Sequence, residues 1–127
     1  MKRLFFAFII CSIIMSNCMS PEERKKEKER EAIQKIIDEE NEFVTRAYVI
    51  AQDLVSKRLK APSTAKFPKS DYTNGPVINK SVEIKSYVDS QNAFGAMIRT
   101  NYSIRIKQTG DDWADTSNWQ VVDFTTN

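Results

Sequence analysis

The sequence predicts an α+β fold in which one long N-terminal helix packs on a three- to four-stranded antiparallel sheet. Three observations predict it. Across residues 33–59 apolar side chains recur at spacings of three and four, and from Val82 onward they alternate with polar ones in steps of two. Proline and glycine punctuate the change between the two regimes at Pro62, Pro68 and Gly75. A sheet with one apolar face needs a cover, and the striped helix is the only element able to supply it.

The chain has 127 residues, 41% of them hydrophobic, which is room for one domain once a leader is removed. Lys2 and Arg3 precede residues 4–15 (LFFAFIICSIIM), an apolar run that suits a signal peptide and falls short of the ~20 residues needed to span a bilayer. Ser16 and Asn17 then lead into Cys18. This stretch resembles a bacterial lipoprotein signal, which is cut by signal peptidase II just before a cysteine carrying diacylglycerol. Met15, Ser16 and Asn17 stand where that pattern favours Leu, a small residue and Gly or Ala, so Asn17 is the departure. The resemblance implies a signal peptide over residues 1–17 and a covalent lipid on Cys18. It also implies attachment to the cell membrane or outer membrane on the exported side. Two or three acyl chains hold a protein stably, at ~0.8 kcal/mol per buried CH₂, where one chain is marginal. Other readings stay open: cleavage by signal peptidase I after Cys18 or Ser20, an uncut anchor, or an ordinary cysteine in a leader.

Residues 18–31 follow as the lipidated cysteine and a charged spacer. Ser20 to Glu23 spell S-P-E-E, a capping box with proline at the first helical position. The run EERKKEKERE then alternates in sign with no apolar face to bury, and reads as a solvated helix. Glu22 with Lys26 and Glu31 with Lys35 are i,i+4 pairs contributing only ~0.2–0.5 kcal/mol each. The α+β domain occupies residues 32–127. Its stripe comprises Ile33, Ile36, Ile37, Val44, Ala47, Tyr48, Ala51, Leu54 and Val55, ends with Leu59, and is closed by Pro62. Core packing is favoured over a coiled coil because Glu40 and Arg58 fall on the seam.

In the second half, Val82, Ile84 and Val88 alternate with charged neighbours. Ile98, Thr100, Tyr102, Ile104 and Ile106 share one face of a second strand. SQNAFG connects the two. A turn around Gly110 leads to a last strand in NWQVVDFTT, and a shorter strand is expected near Val77 and Ile78. The outline is comparable to a cystatin-like roll, a likeness of shape that carries no function.

Two motifs, LVSKRLKAPSTAKFP and SYVDSQNAFGAMIRTNYSIRI, resemble a small domain of uncharacterised bacterial and phage proteins, found behind a zinc ribbon or a lipoprotein leader. No activity comes with the resemblance, and the zinc-ribbon cysteines are absent here. Physically, the first motif is a helix exit: Pro62 stops the helix, Ser63 and Thr64 turn and cap, and Phe67-Pro68 pin the returning chain. The second is a hairpin with a polar tip. Asp89, Gln91, Asn92 and Phe94, with Arg99 and Asn101 on the following strand, form a candidate recognition edge for a peptide or glycan. The competing reading is turn chemistry, with Asp and Asn bonding their own backbone and Phe94 plugging the end of the roll.

Whole classes of chemistry are excluded by composition. The only cysteines are Cys11 and Cys18, and histidine is absent, so the domain holds no disulfide, no Cys/His zinc site and no Ser-His or Cys-His nucleophile. The glycines sit singly, away from phosphate-binding patterns. DDWAD at residues 111–115 lacks the glycine and distal glutamate of a calcium loop and reads as an exposed acidic turn. No metal and no cofactor beyond the lipid is expected. A hydrolase built on a carboxylate pair stays open, since separation in space decides it. Without Lys2 and Arg3, 19 basic residues become 17 against 17 acidic ones, and a near-neutral chain argues against nucleic acid. The expected function is a non-enzymatic, membrane-anchored lipoprotein of a bacterium or phage. Its partners are the bilayer, through acylated Cys18, and an envelope protein or peptide. The alternatives are a secreted ligand-binding or inhibitor domain, and a small enzyme with its site in the concave face of the sheet. That last reading requires a pocket where Phe67, Tyr102 and Trp119 would otherwise pack.

Overall fold

A computed structural model describes residues 19–127; Cys18 and the leader lie outside the described residues. Contacts divide the chain into Met1–Glu39 and Glu40–Asn127, and helix α1 (Pro21–Ser56) belongs to both parts.

In the first part the capping box forms as the sequence predicts. The Glu23 N–H donates to Ser20 Oγ at 3.2 Å, and the Ser20 N–H donates to Glu23 Oε2 at 2.8 Å, so two orphan donors of the helix start are satisfied reciprocally. Lys26 pairs with Glu22 at 3.8 Å, while Lys35 turns forward to Glu39 at 3.8 Å instead of back to Glu31. These exposed pairs contribute only tenths of a kcal/mol. Ile33, Ile36 and Ile37 open the apolar stripe and stay about half exposed. Among the described residues, no helix is long and apolar enough to cross a membrane.

In the second part the stripe becomes core. Val44, Ala47, Tyr48, Ile50, Ala51 and Val55 are buried against a four-stranded antiparallel sheet, β1 (Thr73–Asn74), β2 (Ser81–Gln91), β3 (Met97–Gln108) and β4 (Trp119–Thr126), arranged in that order. Alternation places Val82, Ile84 and Val88 of β2, and Tyr102, Ile104 and Ile106 of β3, on the face turned to the helix. Ile84 lies opposite Ile104 and Val82 opposite Ile106, so the buried pairs stack across the ladder. Aromatic residues fill the rest of the interlayer space. Phe67 meets Tyr102 edge-on at 6.3 Å, and Trp119 packs on Phe43 at 5.6 Å while its Nε1–H donates to the Trp113 carbonyl at 2.8 Å. The Tyr48 hydroxyl donates to the Pro68 carbonyl at 2.6 Å and its ring stacks on Tyr72, pinning the chain that returns from the helix.

Two local expectations are revised. The helix ends at Ser56, before Leu59, because tighter bonds take over: the Arg58 N–H donates to the Val55 carbonyl and the Leu59 N–H to the Ser56 carbonyl. Pro62 then opens a 3₁₀ turn, Pro62–Thr64. The short first strand is Thr73–Asn74, displaced from Val77 and Ile78. The latter segment makes a two-residue hairpin turn, with Ile78 and Ser81 exchanging both backbone hydrogen bonds at 2.9 Å. Asn79 and Lys80 carry φ of 52° and 58°, the left-handed pair that such a turn requires, and only Asn79 is a residue type that signals it.

Candidate functional site

Strands β2 and β3 pair without a break from Ser81↔Lys107 to Gln91↔Met97, and residues 92–96 (NAFGA) close the hairpin. Asn92 organises this loop. Its Oδ1 accepts from the Phe94 N–H at 2.9 Å and the Ala96 N–H at 3.0 Å, and its backbone N–H donates to the Ala96 carbonyl at 2.9 Å. The Gly95 N–H donates to the Asn92 carbonyl at 3.0 Å, and Gly95 takes the left-handed φ of 81° that closes the turn. The Asx chemistry read from the sequence is therefore present. Its partner expectation is overturned: Phe94 does not plug the roll but stands 95% exposed on a hydrogen-bonded turn.

Two more apolar residues surround it, Met97 at 48% and Ile98 at 45% exposure. Ile98 shares the inward face of β3, yet little covers it. At this end the helix has given way to the Pro62–Thr64 turn, which packs on β2. That turn braces the hairpin base: Thr64 Oγ1 accepts from the Gln91 N–H at 2.9 Å and donates to the Ala61 carbonyl at 2.7 Å.

One step down the strands, Asp89 and Arg99 lie directly opposite and form a two-pronged pair, both bonds 2.8 Å, with the guanidinium 3.8 Å from the centre of the Tyr87 ring. On the other side of β2, Lys66 bridges Asp89 through reciprocal backbone bonds of 2.8 and 3.0 Å. The hydrogen bonds from Arg99 hold the Asp89 carboxyl below the usual range, and the nearby Lys66 charge adds to this, against partial desolvation. Arg99 is in turn held above its ordinary value. A carboxylate depressed in the folded state contributes its pairing above the ordinary range and loses it as the pH falls through the depressed value. In a carboxyl NMR titration Asp89 is accordingly expected to titrate below a free aspartate, and Arg99→Leu to move its midpoint upward. An unmoved midpoint would mean that the pair does not persist in solution.

The sequence grouped Asn101 with these residues, and the structure separates it. Asn101 lies opposite Tyr87, exchanges backbone bonds with Asn127, and lines an open groove of about 540 Å³ on the solvent face of the sheet. Glu83, Lys85, Tyr87, Ser103 and Thr125 line the same groove. Two acidic side chains line it, Asp71 and Glu83; Glu83 accepts from Ser103 Oγ at 3.0 Å and lies 3.7 Å from Lys85 and 3.9 Å from Arg105. Glu83 thus answers both cations beside it. The acidic turn is likewise occupied by its own backbone: Asp112 accepts from the Ala114 N–H and Asp115 from the Ser117 N–H. Among the described residues, no cluster of three or more His, Cys, Asp or Glu is placed to hold a metal ion.

Sequence reasoning thus found Asp89, Gln91, Asn92, Phe94 and Arg99 at one end of the domain, and missed Met97, Ile98 and Lys66. Alternation marks Ile98 as inward but is silent on where the covering helix stops. Lys66 joins through an isolated bridge that no periodicity announces. Comparison of the chain with protein-family models, with curated proteins and with solved structures gives no match.

Proposed function

We propose that this chain is a membrane-anchored lipoprotein of a bacterium or phage, lipidated on Cys18, whose small non-enzymatic domain presents the β2–β3 hairpin tip to a partner in the cell envelope. The observation that carries the contact surface is Phe94, 95% exposed on a turn held by four hydrogen bonds. Burying a phenylalanine side chain contributes roughly 1.5–3 kcal/mol, and a preformed loop loses little freedom in doing so. Other surfaces are less inviting. The interlayer space is filled by Phe67, Tyr102 and Trp119, which favours a surface contact over a ligand held inside the roll. On the solvent face of the sheet, Glu83 is held by Ser103, Lys85 and Arg105. The anchor rests on the residues around Cys18 and on their resemblance to lipoprotein signals.

A photo-crosslinking amino acid in place of Phe94, introduced in bacterial cells, tests the contact. Adducts in the envelope fraction are expected from position 94 and not from Val122, which is 54% exposed on β4. Equal yields at the two positions would sink the tip as the contact surface.

A further inference from the structure

Two properties of the hairpin tip, beyond its exposure, identify the chemistry it suits. The first is the absence of charge. Residues 90–98 (SQNAFGAMI) contain no ionisable side chain, and Phe94, Met97 and Ile98 form their apolar part. The second is the charge beside it. Residues 56–70, the helix exit that braces the hairpin through Thr64 and Lys66, contain Lys57, Arg58, Lys60, Lys66 and Lys69 and no carboxylate. Lys57 is taken up by Asp53 and Arg58 lies over Phe124. Among the described residues, Lys60, Lys66 and Lys69 have no carboxylate within 4.0 Å. Asp89, the one acid at the hairpin base, is flanked by Arg99 and Lys66. This end of the domain is therefore an uncharged apolar prominence beside free ammonium groups. A pocket in a protein would select for shape around Phe94. Lysines that adjoin an apolar tip and are held to no geometry match a surface that is apolar inside and negatively charged at its face.

From this arrangement we infer that the tip inserts Phe94, Met97 and Ile98 into the interfacial layer of an anionic lipid bilayer while Lys60 and Lys66 meet the headgroups. The inference rests on the reading of the tip as the contact surface and names its partner.

The test uses the full chain with Cys11→Ser, Cys18→Ser and Ala93→Cys, the new thiol carrying an environment-sensitive fluorophore. It is mixed with vesicles of phosphatidylcholine alone or of phosphatidylcholine and phosphatidylglycerol in equal parts. A chain labelled at Val122→Cys serves as the reference for association through the leader. Fluorophore at position 93 is expected to shift to the blue with the anionic vesicles only, and at position 122 with neither. Phe94→Ser should raise the lipid concentration at half-change about tenfold or more. Lys60→Glu with Lys66→Glu should raise it at least about fivefold per charge, an effect that added salt diminishes. A water-like spectrum at position 93 with both vesicles, or equal shifts at 93 and 122, would overturn the inference. If protein adducts still form at position 94 in cells, the tip then binds a protein and only the bilayer is excluded; if none form, the reading of the tip falls with it.

Discussion

Trp119→Ala is expected to lower the stability of the α+β domain by about 3–5 kcal/mol, a large share of the ~5–15 kcal/mol that folded domains commonly have. Trp119 opens the edge strand β4, packs its ring on Phe43 of the helix, and anchors the preceding acidic turn through its Nε1 bond to the Trp113 carbonyl. Removing it leaves a cavity between the layers and frees a carbonyl that holds the turn. The β3–β4 connection then loses its tether at the place where Gly110 and Asn118 are in close approach. Trp113 remains as the single tryptophan, so urea unfolding can be followed by its fluorescence. A midpoint within error of the parent would mean that β4 is not a structural part of the domain.

The second large effect is a contrast along one strand. Ile104→Ala is expected to cost about 2–5 kcal/mol, whereas Ile98→Ala, six residues earlier on the same face, should cost less than about 1 kcal/mol. Ile104 is fully buried opposite Ile84, and Ile98 is 45% exposed opposite Ser90. Paired denaturation curves decide the matter. Equal losses would show that Ile98 is covered, and the apolar tip would then be part of the core instead of a surface.

Much of this architecture could be read in the residues because simple periods specify it. The change from a spacing of three and four to a spacing of two locates helix and sheet. The polar caps at Ser20 and Glu23 mark the helix start, and the strict alternation of β3 puts Tyr102, Ile104 and Ile106 inside. What escaped the sequence is set by tertiary context. The left-handed Lys80 hides a hairpin turn behind a residue that rarely makes one, so a strand was expected where a turn stands. Of the two readings of Phe94, recognition edge or plug of the roll, the plug fails because the loop bonds made by Asn92 carry the ring outward. The tip was legible as a set of residues; its exposed apolar character was not, because exposure depends on how far the helix and its exit reach over β3.

Alkyne-palmitate labelling in bacterial cells, with the mass of the mature N-terminus recorded, tests the anchoring of this domain most directly. Label that disappears in Cys18→Ala, on a chain beginning at Cys18, is the predicted result. An unlabelled chain beginning at Met19 or Pro21, or an unlabelled full-length chain in the membrane fraction, would contradict it.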